Sequence, residues 1–432
     1  MTSDKTRSVL LLQGPLSKYY ARTAHHLVAL GAKTLKVHFC GSDVSDWEQS
    51  DAVRFTQKPD TWALFLEALI VSNGITDILL HGDRRFYHQV AIGVAKRLDV
   101  NIIATELGYL RPDWMTVEFG GCSALSYFPQ NKDELMALQT PVTADTAELL
   151  YPGSYKQIVL QELGFTFYNA LYARKFPYYL NHRTEPRTQV YGGWLKARAQ
   201  SKRQKKAADA AWKRLKQDGT PYYLFALQLN GDFQIRDHSP FASIYEAIDK
   251  VIESFSKIAP VGTLLVFKSH PLEYRFKELS RAIAKASDKH GVMQRTQLIH
   301  GRSIKELAEA SLGLLTINSS AGIEALEYGI PTCCILPTIY DIDGLTHQGD
   351  WEDFWCSTTP PDPTVFLKFI EALKTVNQVR GTLYNAQGLE AAAKGTAEKV
   401  LCSPYMERPV QSAEPPRLKK AQTMGVTYEY FM

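Results

Sequence analysis

The sequence has no long hydrophobic run. The apolar run closest to its N-terminus, Val9 to Leu12, ends after four residues at Gln13, which is shorter than the hydrophobic region of a secretory signal. No stretch reaches the roughly 18 consecutive apolar residues that a membrane-spanning helix requires. We therefore expect a soluble, cytoplasmic protein, or one that binds a membrane peripherally.

Cysteine spacing typical of metal sites is also missing. The six cysteines include no CxxC pair, and Cys333 and Cys334 follow Pro331 in an apolar run, which is typical of small core residues. A reducing compartment is expected. The chain also lacks a large excess of positive or negative charge, because its net charge is only +4. The global composition therefore gives no reason to expect a nucleic-acid partner.

The length and the order of the segments indicate two domains. A chain of 432 residues is too long for one ordinary core. Strand-like and helical patterns alternate through the first half, and the alternation restarts after Gly219, which predicts parallel sheets covered on both faces. We predict a first α/β domain over residues 1–215, a second over 216–402 with closing helices, and a disordered tail over 403–432. Two such units resemble the GT-B architecture, in which two Rossmann-type domains face a cleft, although fold alone does not fix chemistry.

One segment near the domain boundary is strongly basic. Residues 196–216 contain nine Lys or Arg and one Asp, and their pattern predicts a helix. Helical projection around Trp212 could place several charges against anionic lipid headgroups, each worth about 1 kcal/mol near the surface. An exposed, solvated helix that only links the domains would explain the same composition.

Polar residues gather where the predicted strands end. In the first domain these are Gln13, Asp83, Arg84, Glu106 and Arg111; in the second they are Gln228, Asp232, Gln234, Lys268, His270, Asn318, Ser319 and Ser320. Ligands of doubly wound sheets bind at the carboxyl ends of the strands. Polar groups at so many strand ends therefore predict one shared cleft.

The segment INSSAGIEAL, Ile317 to Leu326, predicts a strand that turns into a helix through small residues. Free amides and the helix dipole at such a turn favour a phosphate, and the carboxylate of Glu324 could accept hydrogen bonds from a ribose. Simple capping of the helix by Ser319 or Ser320 is the alternative.

Lys268 and His270 leave their strand on one face, because alternate residues of a strand point the same way. Both side chains could neutralise a phosphate or a sugar carboxylate. Alternatively, Lys268 is an exposed lysine and His270 is a loop histidine held by backbone groups.

The stretch LFALQLNGDFQIRDHSPF, from Leu224, joins a buried strand to a dense set of polar groups. Gln228, Asp232 and Gln234 could project from one side of an extended chain. An aspartate held by amide donors stays ionised, and it could attack an anomeric carbon to form a covalent glycosyl-enzyme. A tight Asx-turn that begins at Asn230 is the alternative.

Glu106 and Glu118 flank an aromatic and basic segment of the first domain. An acidic residue just past a buried strand can act as a general base when it is partly desolvated. Arg111 could be its ion-pair partner or an anion clamp, and a structural salt bridge is the alternative. Asp83 and Arg84 lie in a strand-to-helix turn that suits either anion binding or a solvated cap.

These motifs together resemble the capsular polysaccharide biosynthesis proteins that act as retaining β-Kdo glycosyltransferases. The resemblance extends in family order from Leu11 to about Tyr384, and its most specific segments are ELGYLRPDWMTVE and LQLNGDFQIRDHS. The other matching segments are LLQGPLSKYYARTAHHL, VHFCGSDVSDW, LLHGDRRFYHQVAIGVAKRLDV, LVFKSHP, LTINSSAGIEAL and YDIDGLTHQGDWEDFW.

The resemblance implies a GT-B-like fold, CMP-β-Kdo as the donor, no metal or other cofactor, and double displacement through an aspartate, which would be Asp232. His270 would contact the donor phosphate or the Kdo carboxylate, and Glu106 or Glu118 would assist proton transfer at the acceptor. The remaining donor-binding residues would be Gln228, Gln234, Lys268, Asn318, Ser319, Ser320 and Glu324.

The resemblance also implies a lipid acceptor of the lysophosphatidylglycerol type. Acceptor or anion contacts would come from Gln13, Asp83, Arg84 and Arg111. The expected partners are the anionic cytoplasmic face of the inner membrane and other capsule assembly proteins, with no nucleic acid.

The sequence departs from the family pattern at two places. Ser269 stands where relatives commonly have a second His, which bears on donor-anion contacts. Cys40-Gly41-Ser42-Asp43 stands where relatives tend to have Asn-Gly-Gly-Asp, which bears on acceptor choice. Two other interpretations stay open: a different GT-B-shaped enzyme, such as a nucleotide-sugar epimerase or a UDP-sugar transferase, and a non-catalytic subunit of capsule assembly or export.

Overall fold

The computed structural model describes residues 6–140, 148–182, 187–231, 233–406 and 414–428, and every structural statement below concerns these residues. The strands are β1 (Ser8–Leu11), β2 (Lys33–His38), β3 (Ala52–Arg54), β4 (Asp77–His81), β5 (Asn101–Leu107), β6 (Trp114–Phe119), β7 (Tyr222–Ala226), β8 (Leu264–Lys268), β9 (Thr296–Ile299), β10 (Gly313–Thr316), β11 (Thr332–Cys334) and β12 (Gln378–Arg380).

The α-helices are α1 (Tyr19–Ala29), α2 (Gly41–Ser45), α3 (Trp62–Asn73), α4 (Phe86–Leu98), α5 (Lys132–Ala137), α6 (Tyr155–Leu171), α7 (Arg187–Asp218), α8 (Phe233–Arg236), α9 (Ile244–Ile258), α10 (Phe276–Lys289), α11 (Ile304–Ala308), α12 (Ala321–Glu327), α13 (Pro363–Val376), α14 (Ala386–Cys402) and α15 (Leu418–Thr423). Short 3₁₀ turns lie at Pro59–Thr61, Ser123–Leu125, Ala173–Lys175, Met293–Arg295, Trp351–Trp355 and Pro404–Met406.

Two sheets share one strand order. The first sheet runs β12-β6-β5-β4-β1-β2-β3 and the second runs β11-β10-β7-β8-β9. If the strands of each domain are renumbered from one, so that β1 and β7 each become strand 1, both sheets contain the Rossmann order 3-2-1-4-5. Strands β1 to β5 and β7 to β11 pair in parallel, whereas β6 and β12 extend the edge of the first sheet in antiparallel pairs. The strand order reverses direction between β1 and β4 and between β7 and β10, where such folds bind ligands.

The continuous apolar strands follow from burial on both faces. Val9 and Leu11 of β1 pack in a cluster with α1 and α14, whereas Leu10 packs on the other face with Trp62 of α3. All three β1 side chains are fully buried. Helices cover both faces of a parallel sheet, so successive residues can all be apolar.

Loops at the carboxyl ends of the two sheets contact each other. His238, after β7, lies 3.0 Å from Asp83, after β4, and the hydroxyl of Ser123 in the first domain donates to Gln234 Oε1 at 2.8 Å. The two sheets therefore turn their ligand-binding edges toward one another. This arrangement confirms the predicted GT-B-like fold with closing helices.

The chain returns to the first sheet after the second domain. Strand β12 pairs with β6, and helix α14 packs on α1, where the hydroxyls of Tyr19 and Thr396 lie 2.5 Å apart. Residues 378–402 therefore belong structurally with the first sheet, although their position in the sequence had grouped them with the second domain. The division at 215/216 itself stays a prediction.

The prediction of a disordered tail is wrong for residues 403–406, which include a 3₁₀ turn with Met406 buried, and for residues 414–428. Leu418, Ala421, Val426 and Tyr428 are at most 2% exposed and complete the core of the second domain. The guanidinium of Arg417 donates to the carbonyl oxygen of Phe128 at 2.7 Å. The tail is polar and contains proline, but four apolar residues are enough to bury it. They pack against a surface that other parts of the chain form. The tail residues 407–413 and 429–432 lie outside the described residues.

The basic segment 196–216 is helical, as predicted, and forms part of α7. Trp212 and Leu215 are buried against the second sheet, and the ammonium of Lys216 lies 4.9 Å from the centre of the Trp212 ring. Trp212 itself is therefore part of the core, and the contact of this helix's charges with lipid headgroups stays a prediction. Among the residues of this segment whose side chains the structure describes, the exposed cations are Arg203, Lys205, Lys206, Lys213, Arg214 and Lys216.

Candidate functional site

Three of the predicted donor-binding residues meet at the reversal point of the second sheet. Gln228 follows β7 and Asn318 follows β10, and the Gln228 amide donates to Asn318 Oδ1 at 3.0 Å. The Asn318 amide in turn donates to the carbonyl oxygen of Gln234 at 3.1 Å. The buried Oε1 of Gln228 has no partner among the described residues. A buried acceptor without a partner is rare in folded proteins, so this oxygen points to a ligand.

Lys268 supplies a buried positive charge beside that point. It ends β8, next to β7, where the Leu227 amide donates to the Lys268 carbonyl at 2.9 Å. The residue is 8% exposed, and its ammonium has no hydrogen bond or ion pair within the described ranges. Burial lowers the pKa of Lys268, and the carboxylate of Glu324 acts in the opposite direction. A desolvated ammonium without an acceptor is well suited to an anionic ligand.

His270 carries a hydrogen-bond donor into the same region. Its Nδ1 accepts from the Leu272 amide at 3.1 Å, so the neutral ring holds its proton on Nε2. Burial lowers the pKa of His270 to about 4, and the cations Lys268 and Arg111 act in the same direction. Arg111 belongs to the first domain, so charges from both domains act on this ring. The electrostatic effects of Lys268 and Arg111 thus both reach the His270 ring.

Ser269, where relatives commonly have histidine, does not point to solvent. It is 1% exposed, and its hydroxyl lies 2.6 Å from Nδ1 of His300 at the end of β9. Burial lowers the pKa of His300, and Lys268 acts in the same direction. Where relatives commonly have histidine, this chain has Ser269, and the Ser269 hydroxyl contacts another histidine, His300, whose pKa the buried Lys268 affects.

The two serines before α12 differ in their local role. The Ser319 hydroxyl accepts from the Ala321 amide at 3.2 Å, which is a local turn. Ser320 begins the helix and makes no side-chain capping bond. A Cβ at Gly322 would come within 2.4 Å of the Tyr340 hydroxyl, so only glycine fits there. Capping therefore explains neither serine fully, and the Ser320 hydroxyl stays available to a ligand.

The expectation of an extended chain after Gln228 is wrong. Asn230 and Gly231 form a turn, and residues 233–236 form the short helix α8. Asn230 Oδ1 accepts from the Ile244 amide at 3.2 Å, which fixes the turn to the start of α9. The proposed nucleophile, Asp232, lies outside the described residues, so its role stays a prediction.

Glu106 and Glu118 lie on one face of the first sheet, because Glu118 pairs with Ala104 and Glu106 pairs with Thr116. Glu106 is half-buried at the carboxyl end of β5. If residue 82 had a Cβ atom, that atom would lie 2.9 Å from Glu106 Oε1. Glycine at position 82 therefore leaves room for the carboxylate above the end of β4.

Glu118 has a different environment. It is 2% exposed, and its Oε1 accepts from the Asn377 amide at 2.8 Å. Burial raises the pKa of Glu118 to about 7, against the opposing effects of Ser126, Tyr109 and Arg417. A carboxyl group enclosed in this way is poorly placed to meet a substrate, so the geometry favours Glu106.

Gln13 is engaged inside the first domain. It is 3% exposed, and its amide donates to the Tyr179 hydroxyl at 2.9 Å and to Cys40 Sγ at 3.3 Å. Arg85 donates to the carbonyl oxygens of Gln13 and Gly14, at 3.4 and 3.0 Å. The Gln13 side chain is thus held by Tyr179 and Cys40 inside the first domain, and its predicted ligand contact stays a prediction.

Asp83 also has a structural partner. Its Oδ1 lies 3.0 Å from His238 Nε2, and its Oδ2 accepts from the Cys122 amide at 2.8 Å. His238 Nδ1 lies 3.1 Å from the Tyr428 hydroxyl, and the Arg84 guanidinium lies 5.0 Å from the centre of the Tyr428 ring. Asp83 therefore joins the two domains and the tail, and its predicted ligand contact stays a prediction.

Asp83→Asn is expected to lower the free energy of unfolding by about 1–3 kcal/mol at pH 7, since it removes a buried carboxylate that lies against His238 and the Cys122 amide. Burial opposes ionisation of Asp83, but His238, Arg84 and the Cys122 amide outweigh it, so its pKa lies below the ordinary 3.8. A carboxyl group whose pKa is lower in the folded protein than in the unfolded chain stabilises the fold. This stabilisation is complete above the unfolded-state pKa and is lost as the pH falls through the folded-state pKa. Urea unfolding at pH 7 and pH 3 should show the difference shrinking at pH 3; a constant difference would contradict the pairing.

Sequence reasoning missed several of these residues. His238 and Arg85 stand beside predicted site residues, but nothing local shows that their partners are Asp83 and the Gln13 carbonyl. His300 follows β9, and its position at a strand end was the available signal. Lys36 and Asp43 form a buried pair 3.6 Å apart, and the Lys36 ammonium also donates to the Leu12 carbonyl oxygen beyond β1 at 2.7 Å.

Two further observations bear on ligands and membranes. In the ranges that the structure describes, no three His, Cys, Asp or Glu side chains cluster in a way that could hold a metal ion. None of the described helices combines the length and the apolar character that crossing a bilayer would require.

Two facing Rossmann-type sheets, with buried cations and unpaired polar atoms where their strands end, define a GT-B-like protein with a ligand cleft. The chain belongs to the family described as "Capsule polysaccharide biosynthesis protein", whose profile matches residues 76–384. It is 32% identical over 383 residues to the capsule polysaccharide export protein KpsS of Escherichia coli, which covers 88% of this chain and 97% of KpsS.

Other relatives have related names. The chain is 28% identical over 396 residues to the capsule polysaccharide modification protein LipB of Neisseria meningitidis serogroup A, covering 88% of this chain and 93% of LipB. Among solved structures, the β-Kdo 2,7 transferase of Thermosulfurimonas dismutans KpsC aligns with a TM-score of 0.42 and 13% identity, over 88% of this chain and 94% of that one.

Proposed function

We propose that this capsule polysaccharide biosynthesis protein is a retaining glycosyltransferase that moves β-Kdo from CMP-Kdo to a lipid of the lysophosphatidylglycerol type. The observation that carries the proposal is the buried ammonium of Lys268, which has no anionic partner within hydrogen-bond reach in the described chain. An ammonium is kept desolvated in this way where an anionic ligand completes its contacts. CMP-Kdo carries two anions, a phosphate and a sugar carboxylate.

The donor is placed at the reversal point of the second sheet. Lys268 and the Nε2–H of His270 would contact the phosphate, and the unpaired Oε1 of Gln228 would accept from the cytosine or the sugar. Ser319 and Ser320 would lie beside the phosphate, with Glu324 near the ribose. Arg111, which reaches this region from the first domain, would hold the Kdo carboxylate.

The reaction then proceeds in two displacements. The Asp232 carboxylate attacks the anomeric carbon of Kdo, the bond to the phosphate oxygen breaks, and CMP leaves with the electron pair. Lys268 and His270 stabilise the negative charge that develops on the leaving phosphate. Glu106 then takes the proton of an acceptor hydroxyl as that oxygen attacks the anomeric carbon and releases Asp232. Two inversions restore the original β configuration.

The proposal is tested by incubating the protein with CMP-Kdo, generated in situ, and lysophosphatidylglycerol. Mass analysis should show an acceptor heavier by one Kdo residue or more, together with free CMP. Asp232→Asn should abolish the product while folding and CMP binding persist, because the amide cannot act as the nucleophile. Unchanged turnover in Asp232→Asn would remove Asp232 from the mechanism.

Thermal-shift measurements separate the rival functions. We expect stabilisation by CMP and none by UDP. Stabilisation by UDP alone would favour a UDP-sugar transferase or an epimerase, and no response to either nucleotide would favour a non-catalytic role beside other capsule assembly proteins.

A further inference from the structure

One side of helix α6 is an exposed apolar surface outside the cleft. Leu160, Leu163, Phe167 and Leu171 are 51%, 50%, 61% and 64% exposed. Spacings of three and four residues place them on one side of the helix, and we refer to these four residues as the α6 stripe. Soluble proteins seldom leave a continuous apolar row exposed, so the stripe indicates a contact surface.

The outward direction of the stripe is fixed by the opposite side of α6. Gln161 donates to the carbonyl oxygen of Leu383 at 2.8 Å, and Asn169 Oδ1 accepts from the Ser42 amide at 3.0 Å. Phe165, between them, is only 3% exposed. An ordinary surface helix turns its apolar side to the core. In α6 the side-chain amides of Gln161 and Asn169 and the ring of Phe165 hold the helix to the first domain. The residues of the α6 stripe therefore face outward.

The charges around the stripe match an anionic surface. Lys156 in the first turn is exposed, as are Arg174 and Lys175 just after the last turn. Glu162 is the one acidic residue of α6, and it is half-buried. Tyr178, 47% exposed, adds an aromatic ring at the margin. Leucine and phenylalanine between basic ends, with tyrosine at the edge, are typical of helices that lie in the interface of anionic bilayers.

A groove opens beside the stripe. It has a volume of about 630 Å³ and lies between α6, α1 and α14. Leu160 and Tyr168 line one wall, and the cations Lys18 and Arg22 line another. The groove shares lining residues with a smaller cavity that reaches Gln13 at the carboxyl end of β1. A path of polar and apolar side chains thus leads from the stripe toward the edge of the first sheet.

We infer that the α6 stripe docks the protein on an anionic bilayer, with Lys156, Arg174 and Lys175 against the headgroups. The docked helix turns the groove toward the membrane, so that a lipid acceptor can enter the first domain without leaving the bilayer. The entry of the acceptor rests on the proposed function, whereas the docking does not.

Vesicle binding tests the docking surface. Leu163→Glu/Phe167→Glu places two carboxylates in the stripe, and Leu64→Glu/Val71→Glu is the matched control, because these residues of α3 are 73% and 72% exposed. We expect the wild type and the control to sediment with vesicles of phosphatidylcholine and phosphatidylglycerol. Binding of the stripe variant should fall at least about 10-fold, since charged groups are costly in the interface. Thermal unfolding and CMP binding show whether both variants are folded.

Three results would overturn the docking surface. In the first, the wild type does not bind these vesicles; in the second, the stripe variant binds them as well as the control does; in the third, the wild type is a dimer that the stripe substitutions disrupt. The last result would make a second copy of the chain the occupant. Lys156→Gln/Lys175→Gln should reduce binding to phosphatidylglycerol vesicles more than to pure phosphatidylcholine vesicles. An equal change on both would contradict the headgroup contacts.

An activity assay separates the two proposals. The stripe variant should transfer Kdo normally to a short-chain, water-soluble lysophosphatidylglycerol and poorly to the same headgroup embedded in vesicles. Equal losses on both acceptors would contradict docking as the role of the stripe. Wild type that binds vesicles but transfers to neither acceptor would contradict the proposed function and still support the docking surface.

Discussion

Glu106→Gln is expected to lower the turnover of Kdo transfer by about 10²- to 10⁴-fold, the usual contribution of a general acid–base group. Glu106 lies half-buried at the carboxyl end of β5, above Gly82, at the edge that faces the second domain. Glutamine keeps the shape of the side chain but cannot take the acceptor proton. CMP affinity should stay unchanged, because the proposed contacts with CMP lie in the second domain. Product mass over time and calorimetry with CMP measure the two quantities.

Glu118→Gln is the matched control. Its carboxyl group is enclosed, and a glutamine Oε1 can still accept from the Asn377 amide that now bonds Glu118. We expect turnover within about 10-fold of wild type, even though burial raises the pKa of Glu118 to about 7, a value suited to proton transfer at neutral pH. A large loss in Glu118→Gln with normal turnover in Glu106→Gln would exchange the two roles.

Much of the fold and part of the site follow from local sequence patterns. The alternation of apolar strands with amphipathic helices predicted both parallel sheets. Because parallel strands end at one edge, the positions of Gln228 and Asn318 after two neighbouring strands sufficed to bring them together. That Lys268 and His270 share a direction stays a prediction, because β8 ends at Lys268.

Other features depend on distant partners, which local patterns do not specify. Tyr428 is in a polar tail, yet it packs in the core of the second domain, and its hydroxyl lies 3.1 Å from His238, 190 residues away. Asp83 had the sequence context of an anion site, but His238 from the other domain occupies it. Trp212 was placed correctly on a basic helix, yet which side of α7 is buried depends on the second sheet. The exposed side of α6 was missed, because an apolar helical pattern ordinarily predicts a core contact.

Lys268→Met is expected to raise the Kd for CMP about 10- to 100-fold, the range of one charge-assisted hydrogen bond. The free energy of unfolding should stay the same or rise. Burial lowers the pKa of Lys268 because its ammonium is desolvated, and methionine of similar length removes that desolvation cost. Loss of binding without loss of stability is the signature of a group kept for a ligand. Calorimetry with CMP and urea unfolding measure the two effects.

Lys399→Met is the matched control for a lysine that stabilises the fold. Its ammonium donates to the carbonyl oxygen of Thr375 at 2.8 Å, and burial lowers its pKa to about 8. Removing it leaves that carbonyl unpaired, so we expect a loss of about 1–3 kcal/mol in the free energy of unfolding and unchanged CMP affinity. If Lys268→Met binds CMP as tightly as wild type, or loses stability as Lys399→Met does, Lys268 is a structural lysine. The donor phosphate must then be held by other residues of the cleft.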